Sequence, residues 1–428
     1  MDRTTSVILV WLACLSWLVA TPVSAGPSLG DRLYDSLGIE VNGFGEARGG
    51  LRLWNDADEK DLSIGEARFQ LELNRDFDWL LFKFKGDLLA DGVLDELTVD
   101  LRDVSLVFSP ADFMDVKLGR MVSTWGTGDL IFINDLFPKD WQAFFIGRND
   151  EYLKKPSNVI RTSFFLDAVA LDVVYTPLFE GSEFVSGERL SYYNPSAGRI
   201  VGRDLVMTDM APNRYFRDGE IAGRLSAQVQ GVELALYGYS GFWQEPEGMD
   251  PYSGRAIYPR LNVWGASVRS SLLGGVGNLE AGYYDSIQDR DGADPFIRPS
   301  EYRFLAGFER ELAHELTGAV QYYLELIDEY DAYRSALPAG MHARDEYRSL
   351  FTLRLTQLLL NQDLTLSLFV YWSPSDEDGY ARPKFSYKLS DDWLLEGGLN
   401  LFWGRKDYTF WGRFEDNSNA YVGLRYSF

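Results

Sequence analysis

Apolar residues fall at every second position through most of this 428-residue chain. A period of two is the mark of a β-strand with two unlike faces. The closing stretch AYVGLRYSF is the clearest case. Ala420, Val422, Leu424, Tyr426 and Phe428 share one parity, while Tyr421, Gly423, Arg425 and Ser427 share the other. The same alternation predicts strands over Ile39–Trp54, Ile64–Asn74, Trp79–Ala90, Leu97–Phe108 and Asp115–Trp125. Six strand pairs follow, turning near Asp167, Gln230, Gly274, His314, Asn361 and Asp391, before the last strand. The pattern thus predicts about eighteen strands, with sixteen the next even count.

Connections between these strands alternate in length. Those around Asp76, Pro110, Asp167, Gly231, Gly274, Ala313, Asn361 and Asp391 are short. The long ones, including 177–217, 241–259, 286–300, 331–346 and 404–418, are polar and charged, and too long for the hairpins of a soluble sandwich. An even count with one short and one long end predicts an all-β chain: a transmembrane antiparallel up-and-down β-barrel. Closure into a barrel satisfies every backbone group within lipid. Aromatics at the strand ends (Trp54, Trp79, Trp125, Tyr175, Tyr239, Trp372, Trp393 and Trp403) are expected to form two interfacial girdles.

Composition fits a barrel better than its averages suggest. The net charge of −23 would suit a soluble protein, yet 15% of residues are aromatic and 40 are glycine. Barrel strands are apolar only at alternate positions, so a lipid-facing surface coexists with low mean hydropathy. At the N-terminus, Arg3, the apolar run Val7 to Ala20 and the small residues Val23-Ser24-Ala25 read as a signal peptide over 1–25. The expected organisation is completed by a periplasmic segment over 26–38 and a barrel over 39–428. Cys14, the one cysteine, lies in the leader, so the mature chain is expected to hold no disulfide and no thiolate metal site.

The terminal strand resembles the C-terminal signature of Gram-negative outer-membrane β-barrels, matched by Phe428, Tyr426, Leu424 and Val422. That resemblance implies an outer-membrane location and recognition of these four residues by the barrel-assembly machinery. The segment VKLGRMVSTWGTGDLIFINDLFPKDW is similar to one in poorly characterised porin-like barrels, and its Leu-Gly-Arg strand is loosely similar to that of alginate-export-type barrels.

Segment 125–158 is too apolar to stand in water. It carries Ile131, Phe132, Ile133, Leu136, Phe137, Trp141, Phe144, Phe145 and Ile146. Folding into the lumen would bury these residues and leave Asp129, Asp135, Asp140, Lys139 and Arg148 to line a constriction. Parity places further basic residues on the inner wall, Arg161 and Arg354 among them, in modest excess over acids. The expected function is a porin-like outer-membrane channel for passive diffusion of small hydrophilic solutes, with a modest preference for anions. The rival readings are a barrel that sheathes or anchors a partner or exports a polymer, and an outer-membrane hydrolase. Only two histidines, His314 and His342, are present to serve an enzyme, and neither lies in a catalytic motif, so no enzymatic activity is expected. No cofactor or metal is expected either, since the acidic stretches 289–294 and 375–379 lack calcium-loop spacing. The expected partners are outer-membrane lipids, lipopolysaccharide and small solutes, with no nucleic acid.

Overall fold

A computed structural model describes residues 29–56 and 58–428, with side chains from Leu33 onward. The leader read over 1–25 lies outside the described residues. Eighteen strands form one closed sheet. They are β1 (Ile39–Arg52), β2 (Leu62–Asp76), β3 (Leu81–Asp91), β4 (Glu96–Ala111), β5 (Met114–Met121) and β6 (Ser157–Leu166). Next come β7 (Val169–Thr176), β8 (Glu220–Val229), β9 (Val232–Phe242), β10 (Arg260–Leu272), β11 (Gly275–Ser286) and β12 (Glu301–Ala313). The last six are β13 (Leu316–Ile327), β14 (Tyr347–Leu359), β15 (Leu364–Ser373), β16 (Asp378–Lys388), β17 (Trp393–Gly404) and β18 (Asn419–Ser427). Each pairs antiparallel with its neighbours in sequence, and β1 closes on β18 from Phe44↔Ser427 to Arg52↔Asn419.

One end of the barrel carries eight short connections, of two to four residues each. Two of them, Gln230-Gly231 and Leu273-Gly274, hold both residues at positive φ, the geometry that matches the twist of a two-residue hairpin. At the other end most connections are long, but 92–95 and 374–377 are tight turns. The first is closed by the Asp91 carboxylate, which accepts from the Val93 and Leu94 amides at 2.9 and 3.1 Å.

The alternation sorts the side chains as a membrane barrel requires. Phe69, Leu236, Leu279, Val320 and Val422 face outward and are about half exposed. Arg48, Arg68, Asp87, Glu280 and Glu396 face inward and are buried. Outward aromatics stack in tiers near the long-connection end, as in Trp264–Tyr283–Tyr302 with centroids 6.2 and 4.6 Å apart. Trp393–Tyr426 marks the opposite end. Two of the expected girdle residues turn inward instead: Trp125 packs 6.3 Å from Tyr237, and Tyr239 is buried with its hydroxyl on Glu220.

Two features depart from simple alternation. A nine-residue helix, α1 (Leu29–Leu37), precedes β1 in the stretch read as a plain periplasmic segment. Gly38 ends it at φ +63°, and its amide returns to the Tyr34 carbonyl at 2.8 Å. A bulge between β3 and β4 turns two consecutive charged residues, Arg102 and Asp103, to the interior.

Candidate functional site

Segment 122–156, between β5 and β6, crosses the interior of the barrel. Its middle is a short helix, α2 (Trp141–Ile146), whose N-terminus is capped by Asp140, which accepts from the Ala143 amide at 2.7 Å. Gly147 ends the helix at φ +84°. A Cβ there would lie within 2.6 Å of the Tyr421 ring, so only glycine brings this turn so close to the wall. The helix buries Phe144, Phe145 and Ile146. The Phe145 ring lies 5.7 Å from Tyr380 and 5.3 Å from Phe402 on the wall, and 5.9 Å from Trp411 and 5.2 Å from Phe414 in connection 405–418.

Hydrogen bonds tie the segment to opposite sides of the barrel. On β1, the Arg48 guanidinium donates to the Gly147 carbonyl at 2.8 Å. On β18, Asn419 donates to the Phe145 carbonyl at 2.9 Å. On β3, the Asp87 carboxylate accepts from the Tyr152 hydroxyl at 2.8 Å. Across the lumen, Glu280 of β11 accepts from the Thr127 amide, from the Gly128 amide at 3.0 Å and from the Asn134 side chain at 3.2 Å. Gln321 of β13 pairs with the Asp129 backbone at 2.7 and 2.8 Å, and the Tyr371 hydroxyl of β15 reaches the Leu130 carbonyl at 2.8 Å.

The interior is therefore packed at mid-height. Every one of the eighteen strands has at least one inward side chain less than a tenth exposed, from Arg48 on β1 through Val174 on β7 and Leu305 on β12 to Tyr421 on β18. Part of connection 177–219 adds to this packing, with Arg189, Leu190 and Tyr192 all buried. Toward the short-turn end the wall is wetter. Side-chain exposures there reach 37% for Arg354, 45% for Glu309, 23% for Arg224 and 38% for Glu233.

Charges read from the sequence as candidates divide into two groups. Asp135 and Lys139 are buried against each other at 3.0 Å, and Asp140 caps α2 while facing Arg148 at 3.5 Å. Arg148 is itself held by Glu66 through three hydrogen bonds of 2.6 to 3.0 Å. These four hold the segment in place; Asp135 and Lys139 are shielded from water, and Asp140 and Arg148 are mostly covered, since desolvated charges persist only when paired. Solvent reaches Asp129, Arg354 and Arg161. Arg354 bridges Asp129 at 3.0 Å and also pairs with Glu309, while Arg161 pairs with Asp172 at 2.9 Å. The basic wall is thus largely neutralised strand by strand.

Arg102 and Asp103 are absent from the charges read by parity. Arg102 donates to the carbonyls of Glu151 and Lys154 at 3.0 and 2.8 Å, fixing the return of the segment. Most carboxylates of the two acidic stretches are used internally. Asp376 pairs with Arg348 at 2.6 Å, Glu377 with Arg405 at 2.6 Å, and Asp289 accepts from the Asp294 amide at 2.9 Å. His342 lies face to face with Tyr408 at 3.7 Å.

At the long-connection mouth, Glu59 is almost fully covered between Arg52 and Arg203, whose nitrogens lie 3.9 and 3.2 Å away. Burial outweighs both guanidiniums and pushes its carboxyl up to about 7. An acid raised in this way favours the folded state when protonated. Its contribution is full at low pH and is lost as pH climbs through 7. Glu59→Gln is therefore expected to leave Tm unchanged at pH 4 and to raise it at pH 8, as read by thermal melts of the folded barrel.

No protein-family model matches the chain, and no curated protein matches it. Among solved structures, it is similar to Salmonella typhi OmpF in complex with daunomycin, at 9% identity and a TM-score of 0.46, over 91% of this chain and 97% of that one. A triple mutant of the Rhodopseudomonas blastica porin is similar at 11% identity and a TM-score of 0.41, over 91% of this chain and 100% of the other.

Proposed function

We propose that this chain is a bacterial outer-membrane channel, passing small hydrophilic solutes through a lumen that segment 122–156 narrows severely. The observation that carries this reading is a closed barrel, apolar outside and charged inside, whose own loop is tied across the lumen by paired charges. On this reading the N-terminus and short turns are periplasmic and the long connections face outward. A wetted vestibule at the short-turn end leads up to the loop. Since Arg161 and Arg354 are both paired, any anion preference is weak. A sheath for a separate chain has less support, because the protein's own segment occupies the middle of the lumen. Liposomes carrying the folded protein should swell in small sugars and fail to swell in large oligosaccharides. Swelling no faster than in protein-free liposomes would defeat the proposal.

The C-terminal residue fits an assembly signal on the same reading. Phe428 exchanges backbone hydrogen bonds with Gly43 at 3.0 and 3.2 Å, and its ring stacks 5.9 Å from Phe69 on the outer surface. Offset stacking of this kind is worth about 0.5–1.5 kcal/mol, too little to decide whether the finished barrel stands. Removing Phe428 should lower the amount of heat-modifiable barrel in the outer membrane while leaving the Tm of purified barrel nearly unchanged. Equal assembly with and without Phe428 would remove the signal role.

A further inference from the structure

Connection 177–219 ends in a stretch, 213–217, in which every residue is exposed. Tyr215 and Phe216 stand 64% and 76% exposed, with their rings 6.3 Å apart. Phe216 holds φ at +63°, a conformation that a bulky residue rarely adopts. The turn is nonetheless stapled. The Phe216 amide donates to the Pro177 carbonyl at 2.7 Å, the Asp218 amide to Arg214 at 2.8 Å, and the Phe179 amide to Asp218 at 2.9 Å. A fixed, strained backbone that turns an aromatic ring into the open gains nothing in packing. Strain kept in this way points to a surface with a use.

The charges around it are equally uneven. Arg214 and Arg217 are exposed, and Arg260, the first residue of β10, donates to the Arg217 carbonyl at 3.1 Å. A single carboxylate, Asp218, faces Arg214 at 3.2 Å and Arg260 at 3.7 Å. Arg217 has no ion pair among the described residues. Three guanidiniums thus meet one acid on a chain whose net charge is −23. The turn sits on the long-connection rim, between the end of β7 and the start of β8, where outward-facing Ile221 is half exposed. Apolar rings beside an excess of guanidiniums over carboxylates, at an apolar–aqueous boundary, match an amphipathic anion. Free phosphate would leave both rings unused, whereas guanidinium groups bind phosphate oxygens in pairs.

We infer that Arg214, Tyr215, Phe216, Arg217 and Arg260 form a docking site for the phosphate-bearing headgroup of an outer-leaflet lipid. The inference rests on the membrane orientation proposed above. Purified barrel in neutral detergent, titrated with diphosphorylated lipid A and read by native mass spectrometry, tests it. Wild type should retain the lipid, and both Arg214→Gln/Arg217→Gln and Tyr215→Ser/Phe216→Gly should bind it at least tenfold more weakly. Lipid A stripped of its phosphates should bind wild type and the arginine variant alike. Phe216→Gly relieves the positive φ, so weaker binding by that variant would not reflect misfolding. Equal retention of phosphorylated lipid by wild type and both variants overturns the site. Heat-modifiable gel mobility and insertion into liposomes are recorded in parallel. A wild type that fails those would overturn the membrane reading itself, and a folded, inserted wild type with no lipid preference would overturn only the docking site.

Discussion

Deleting residues 131–146 is expected to raise single-channel conductance several-fold. The deleted stretch contains α2 and the apolar residues that fill the space between the wall and connection 405–418. Burial of each large side chain contributes about 1.5–3 kcal/mol, so the stretch stays docked in the intact chain. Barrel closure rests on strand pairing, which the deletion leaves whole. The deleted variant should therefore still form a barrel, with a lower Tm and a wider lumen. Planar-bilayer recording checks this directly. Steps of unchanged size would mean that ions bypass the segment.

Replacing Arg148 with alanine is expected to cost about 3 kcal/mol and to loosen the whole return of the loop. Truncating one partner of a buried, hydrogen-bonded ion pair typically costs about 3–5 kcal/mol, because the other charge is left uncompensated. The lower end applies here, since Glu66 keeps Arg68 at 3.5 Å and Arg189 at 3.7 Å. Arg148→Lys should recover only part of the loss, because an ammonium cannot reproduce the forked contact with both Glu66 oxygens. Arg148→Met combined with Glu66→Gln should be milder than Arg148→Ala alone. Denaturant melts together with hydrogen exchange over residues 143–153 measure both effects. Unchanged protection in Arg148→Ala would show that the aromatic contacts hold the segment without the ion pair.

The strands were legible because membrane-type alternation writes both faces of the wall into the sequence. The Arg48, Glu66, Arg68 and Glu396 side chains all face inward, as their parity requires. Turn chemistry was legible at Gln230-Gly231 and Gly274, where positive φ is required. Two charges escaped because a bulge breaks the parity: Arg102 and Asp103 both turn inward. Composition showed that 125–158 had to bury its apolar side chains, but it carried no register for the contacts. Nothing local links Glu280 with Thr127, or Arg148 with Glu66, across separations of 153 and 82 residues. Asp135 and Lys139 read as lumen charges and are instead desolvated partners four residues apart, because composition does not tell which charges of the segment the fold buries. Trp125 and Tyr239 read as girdle residues because strand-end position does not by itself distinguish the two faces of the wall.

On the channel reading, a folded barrel conducts past its own internal segment. Single-channel recording of the intact chain, after heat-modifiable mobility has confirmed the barrel, tests it most directly. The expected result is small, discrete current steps that differ little between salts of matched cation and anion mobility. A correctly folded barrel that gives no steps at any applied voltage would contradict the channel reading.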